Sequence, residues 1–568
     1  MTVDCESPPD STDMSDPDVS GIGVSIGFVG TGCLMILLLI IYYVFVFDPK
    51  LDPLRKQGQA MKNQDRPNEI DVAVLRRVRW ALLTLGFRFT WLVDGRKDSS
   101  IERGFNKCIL AMSDIQIATG LAVLISGYHE LPRMISAYHW MMIVYTAWFS
   151  SVAHLAALSH LRTYYANHPE RFMWRLVLIF CVVTMLGVAM FINTPIKVKM
   201  DASDRIKLTD YRAICLFNES KLSNGSVPEI AMLADTTFSV SMLVFGLIIR
   251  TVKMSRGVFR WTSFYRSCVR SKLAVIVKGE NFGLRRVLGH HAYTLFIARS
   301  LAVSWILGRL YAELCSSFLA EVAWVMITAS WGLKQLLLIR AEGPEDENSW
   351  SFGQVAAVVL FISPLCLAFE QFFNPGTADA RRNGAARTRS DDLLEIQPQE
   401  PESVDARRES IEWIRLVDIT ACWDAPSSRA TVHLFVGFNF LLMVYAFNDY
   451  VVFRAFVKMM TWFFVYQPIQ AALVLLLGME LEQTELWVQS HALRRATVVA
   501  LIIACLLGTI GIFLPSWEAP FTHLYVCPWE IVPVCLDYLM VGVVVLQFGV
   551  YLLIYMARNS SRALRSGG

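Results

Sequence analysis

The chain has 568 residues, 54% of them apolar and 18% charged, with a formal charge of +3 at neutral pH. Ordinary soluble domains are roughly 25% charged, so most of this chain cannot be covered by a solvated surface, and so small a net charge excludes a nucleic-acid partner recruited by electrostatics. The apolar residues fall in separate runs of about 20, the length a helix needs to cross roughly 30 Å of hydrocarbon.

Residues 1–20 carry Asp4, Glu6, Asp10, Asp13, Asp16 and Asp18 and no Lys or Arg, the reverse of the basic start of a cleavable signal. The run Gly21–Phe47 is therefore read as a retained first span, with the acidic tail outside. Further candidate spans lie at about 106–128, 135–161, 172–193, 231–250, 293–313, 316–339, 352–373, 431–447, 459–477, 496–514 and 534–556. Their length and spacing rule out barrel strands and predict an all-α, polytopic transmembrane bundle. Between the first two spans, Trp80–Val93 is too short to cross and holds Arg88 in its middle; an in-plane interfacial helix fits it better than a re-entrant segment. Residues 374–430 form the long polar insertion, with the composition of a disordered cytoplasmic linker. The chain is thus divided into the tail 1–20, a helical core 21–373, the insertion 374–430, and C-terminal helices with a basic tail at 431–568.

Orientation follows from the Lys/Arg bias. Arg250–His291 holds ten basic residues against one acid, Glu280, which marks it as cytoplasmic. The same stretch interleaves Trp261, Phe264 and Tyr265, and an anionic lipid contact is expected there, with a purely topological role as the alternative. On the opposite face, residues 194–229 contain two sequons, at Asn218 and Asn224, and are expected to be exoplasmic and glycosylated. Cys215 and Cys527 both fall in loops predicted to be exoplasmic and form a candidate disulfide. An outer N-terminus and the inner basic tail (Arg558, Arg562, Arg565) require an odd number of crossings, whereas twelve runs are apparent. The surplus run is expected in 293–339, where Arg299, Arg309, Glu313 and Glu321 weaken two spans joined by almost no loop; about eleven crossings result. Arg299, Arg309 and Lys334 are expected to snorkel or to pair with Glu313 and Glu321.

Ionisable groups inside spans are costly and face a partner or a water-filled cavity. Here the candidates are Asp114, Gln116, His139 and His154, on the second and third spans. With those helices antiparallel, Asp114 and His154 lie about 10–14 Å deep at 1.5 Å per residue. Ser113, Gly120, Ser150 and Ser151 allow close approach around them. An Asp114–His154 pair suits a proton relay, a cation site or a ligand anchor; the more ordinary use is a polar clamp between helices. Walker, H-E-x-x-H, G-x-S-x-G and Cys-x-x-Cys patterns were sought without a match, so neither catalytic residue, metal nor cofactor is assigned.

The strings S-D-x-Q (from Ser113), TGLAVLISGY (Thr119–Tyr128), ISAYHW (Ile135–Trp140), AWFSS (Ala147–Ser151) and WSFGQ (Trp350–Gln354) resemble an uncharacterised family of multispan integral membrane proteins from filamentous fungi. The resemblance covers about residues 105–375. It implies a fungal source and a helical membrane fold, and no substrate or catalytic residue. The leading functional expectation is transport or conduction of an ion or small solute; a receptor or sensor comes second and a membrane-embedded enzyme third. The localisation is multi-pass integral membrane, with plasma membrane and endomembrane both open.

Overall fold

The computed structural model describes residues 17–49, 68–85, 99–133, 135–202, 208–215, 227–254, 299–341, 343–344, 350–373, 466–481 and 545–554, with a few single positions between 492 and 557. Among these residues the secondary structure is helical, with one isolated bridge between Ser136 and Arg212. After a single turn at Pro17–Ser20 come α1 (Ile22–Ile41), a π-helical turn at Tyr42–Val46, α2 (Glu69–Thr84), α3 (Ser99–Glu130) and α4 (Ala137–His160). They are followed by α5 (Arg162–Asn167), α6 (Pro169–Ala202), α7 (Val227–Lys253), α8 (Arg299–Ser316), α9 (Phe318–Arg340), α10 (Phe352–Phe373) and α11 (Gln467–Leu481). Among the described residues six segments are long and apolar enough to cross a membrane: Asp18–Val46, Gly104–Glu130, Ala137–His160, Pro169–Ile196, Thr236–Lys253 and Phe318–Arg340. Phe352–Cys366, Gln467–Leu477 and Val545–Ile554 are shorter apolar helices. The chain is a multispan helical membrane protein.

Two compact units divide it. In the first, α4 is the axis: all 24 of its residues are buried, and it packs against α1, α3, α6, α7 and α9. A membrane helix with no outward face gains nothing from lipid, so it can hold polar residues that a peripheral helix would expose. Its start is fixed by Ser136, whose hydroxyl accepts the His139 N–H at 3.2 Å, the usual device for an orphan donor at a helix N-terminus. Residues 208–215 cover that end, with Ala137 N–H donating to Tyr211 O and Ala213 N–H to Ile135 O.

Around this axis, α10 lies against α1 and α3. Gly23 and Gly27, four residues apart on α1, leave room for α10: a Cβ at Gly23 would stand 2.5 Å from Gln354 Cβ, and one at Gly27 2.9 Å from Ala357 O. The contact admits the Gly23 N–H to Gln354 Oε1 at 2.9 Å. The WSFGQ string is explained here: Ser351 hydrogen-bonds Asp18, Gly353 N–H donates to the same carboxylate at 3.1 Å, and Gln354 reaches α1. Arg340, closing α9, donates to Ser20 O and Ser25 Oγ at this end.

Helix α2 begins well before the run expected to lie in plane, and Trp80–Thr84 is its last turn; residues 86–98, Arg88 included, lie outside the described residues. It is fastened by Arg79, which donates to Val44 O and Phe47 O at 2.8 Å. Its other fastening is Asp71, which accepts the Phe318 and Leu319 N–H groups at 2.9 and 3.2 Å at the start of α9. Trp80, Leu83 and Leu85 are exposed.

The second unit holds most of α8 together with α11. Val303 and Leu307 pack with Ala471 and Leu475, and the Tyr311 hydroxyl donates to Gln467 at 3.2 Å. Arg309 pairs with Glu313 one turn on, as the sequence suggested. The insertion 374–430 and the candidate spans 431–447 and, for the most part, 496–514 lie outside the described residues.

Candidate functional site

The polar residues singled out on α3 and α4 form two separate arrangements. Asp114 and Gln116 stand two residues apart, so they leave α3 about 200° apart in azimuth. Gln116, with Ser113 and Gly120, faces α4. The Ser150 hydroxyl donates to Gln116 O at 2.5 Å and lies 3.1 Å from His154 Nε2. A hydroxyl has one hydrogen, and Ser150 spends it on the Gln116 carbonyl; the His154 contact is therefore Nε2–H donating to Ser150. That tautomer leaves Nδ1 as a bare acceptor, buried and without a partner. Ser113 Oγ, Gln116 Oε1, Thr146 Oγ1 and Ser151 Oγ are likewise buried and unpaired.

Asp114 does not pair with His154. It points to α6, where Arg175 grips it with two bonds, Nε–Oδ1 and Nη2–Oδ2, each 2.7 Å. The Arg175 side chain is 7% exposed and that of Asp114 37%. Arg175 also donates to Arg171 O and lies 4.3 Å from the Trp174 ring centroid. Equal depth was the basis for expecting the Asp–His pair, but depth alone ignores azimuth. His139 is removed from both arrangements: its Nδ1 is 2.7 Å from Ser136 Oγ at the opposite end of α4.

A third polar centre, which sequence reasoning missed, lies where α4 ends and α9 begins. Glu321 is buried, and its Oε1 takes Arg162 Nη2 from α5 and Lys253 Nζ from α7, the latter at 2.6 Å. Arg250, fully buried, donates to Ser159 Oγ at 2.8 Å, Gly246 O at 3.0 Å and the Glu321 backbone carbonyl at 3.1 Å. Glu321 thus pairs with residues of α5 and α7, while Arg309 pairs with Glu313; the Arg299 side chain lies outside the described residues. Arg250, the first cation of the stretch expected to hold lipid headgroups, is turned into the protein, while Lys253 stays partly exposed and is held by Glu321 and Cys315 O; residues 255–298 lie outside the described residues. Neighbouring this centre is Asp71 of α2. Burial pushes its carboxyl above the usual range, and the Glu321 charge adds to this. The Phe318 and Leu319 N–H groups and the Tyr43 hydroxyl pull against it.

Asn218, Asn224 and Cys527 lie outside the described residues. Cys215 is disulfide-bonded; Cys33, Cys108, Cys181, Cys315 and Cys366 are free, so its partner is a cysteine outside the described residues. Among the described residues no group of three His, Cys, Asp or Glu side chains is placed to hold a metal.

No family model matches the chain, and no solved structure matches it. A stretch of 91 residues is 28% identical to a protein of Elsinoe fawcettii described as "Elsinochromes biosynthesis cluster protein HP2". That stretch is 15% of this chain and 24% of the relative, so the chain spans about a quarter of the length of the curated relative it matches.

Proposed function

We propose that this protein conducts or transports an ion or small solute along the seam between α3 and α4. One observation carries the reading: a fully enclosed membrane helix keeps Thr146, Ser151 and His154 facing the protein interior with bare polar atoms, beside Ser113 and Gln116 of α3. An unpaired buried polar atom costs about 1–3 kcal/mol, and polar groups held inside a membrane at that cost mark solute and proton paths. Bound water or a passing solute supplies the missing partners. The test is flux in liposomes loaded with pH- and ion-sensitive dyes, comparing the native chain with His154→Gln. Flux above empty vesicles that falls in the variant supports the reading. A folded native protein giving no flux of protons, alkali cations or halides, or of small uncharged solutes in a swelling assay, overturns it.

The topology we propose has eleven crossings, an outer N-terminus and an inner C-terminus. Lys253 Nζ donates to Cys315 O at 2.6 Å, which supports an even number of crossings between α7 and the end of α8. Only 293–313 is apolar enough in that interval, so it is the run to discount. Helix α9 then leads outward to Arg340 beside Ser20, and α10 returns. In this scheme the 194–229 loop is exoplasmic and carries glycans at Asn218, Asn224 or both, which an endoglycosidase mobility shift checks. Membership of the fungal multispan family remains part of the same proposal.

A further inference from the structure

Three cations meet at the Glu321 centre, and among the described residues two acids stand near them. Arg162 and Lys253 share one carboxylate oxygen of Glu321, while Arg250 is spent on Ser159, Gly246 and the Glu321 backbone. Asp71, the second acid, is committed to the Phe318 and Leu319 N–H groups and the Tyr43 hydroxyl. Among the described residues the centre therefore keeps a surplus of positive charge. Its unused donors belong to the edge formed by the two cations that share Glu321 Oε1. Arg162 Nε is buried with no acceptor, and Lys253 Nζ has three hydrogens and two acceptors, Glu321 and Cys315 O. That edge is also the least covered: the Arg162 and Lys253 side chains are 12% and 18% exposed, against 4% for Glu321.

We propose that the Arg162–Lys253 edge binds a phosphate-type oxyanion, from free phosphate or from a phospholipid headgroup. A guanidinium fork beside an ammonium suits a group that presents several charged oxygens. The edge lies at the end of α7, which the basic stretch marks as cytoplasmic, where anionic headgroups are found. Glu321 holds the two cations in the absence of a ligand and competes with it. This inference stands apart from the transport reading.

The experiment uses the full chain in a neutral detergent and follows its melting temperature. The additions are sodium phosphate, dihexanoyl phosphatidic acid, a dihexanoyl glycerol without phosphate, and potassium chloride at matched ionic strength. A saturable rise with phosphatidic acid alone assigns the site to a headgroup; a rise with both phosphate compounds extends it to the free ion. Lys253→Gln and Arg162→Gln should weaken apparent affinity about tenfold, since each removes a charge-assisted contact. Glu321→Gln should strengthen it, because it frees both cations. If the Arg162 variant does not fold, Lys253→Gln at the partly exposed helix end carries the test. No rise beyond that with chloride, an equal response in Lys253→Gln, or weaker binding in a folded Glu321→Gln protein overturns the proposal.

Discussion

Replacing Gly23 by Ala tests whether α1 and α10 are held at a distance only glycine permits. The added Cβ would sit 2.5 Å from Gln354 Cβ and 2.7 Å from Gln354 O, against an optimal separation of about 3.5–4.0 Å. Backbone and Cβ atoms cannot swing aside, so the helices must part by about 1 Å. Overpacking of this kind costs about 1–3 kcal/mol, and stretching the 2.9 Å bond from Gly23 N–H to Gln354 adds about 1 kcal/mol. Ala is the better helix former by up to about 1 kcal/mol, which leaves a net loss of about 1–3 kcal/mol. Gly30→Ala is the control on the same helix, because its Cβ would meet the Phe361 ring at an ordinary 3.4 Å. Thermal unfolding in detergent should show Gly23→Ala melting lower by about 1–3 °C for a chain of this size, with Gly30→Ala unchanged or slightly higher. Equal melting of the two variants would refute the argument from close approach.

Two further outcomes are expected. Asp114→Asn should destabilise the protein by about 1–2 kcal/mol, the loss of a charge-assisted pair discounted for the exposed carboxylate, and should spare flux in the fraction that folds; loss of flux at unchanged melting temperature would count against a clamp. Burial raises the Asp71 carboxyl, so its stabilising contribution is complete below about pH 4 and is lost as pH rises through the raised folded value. The melting difference between the native chain and Asp71→Asn should therefore favour the native chain most in acid and shrink on going to neutral pH; a difference that grows with pH would contradict that sign.

Helical class and the early spans were legible because each apolar run is about the thickness of a bilayer and little else in the sequence competes with that signal. The polar residues of α3 and α4 could also be found, since they interrupt those runs. Their partners could not. Arg175 lies 61 positions beyond Asp114, and only the packing of α6 beside α3 brings it there. Depth along a helix can be counted from the chain, whereas azimuth depends on which neighbour each face meets. The Glu321 centre was hidden for the same reason. It draws Arg162 from α5 and both Arg250 and Lys253 from the end of α7, and charges near span ends look alike whether they turn to water or inward. The glycines of α1 did carry a readable sign, small residues four apart at Gly23 and Gly27, but in an apolar run they pass for filler until a second helix is seen against them.

The enclosure of α4 also bears on how the chain is made. A ribosome delivers α4 to the membrane before α6, α7 and α9 exist, so this helix first meets lipid on faces it will later hide. Its Trp148 indole N–H finds its acceptor, Thr328 O, 180 residues further along. Until α9 has been synthesised the central helix carries an open flank, and a chain ending anywhere before Phe318 keeps that flank permanently. Premature termination before α9 thus yields a product whose central helix never closes that flank, and α9 is the element whose arrival supplies the Trp148 acceptor.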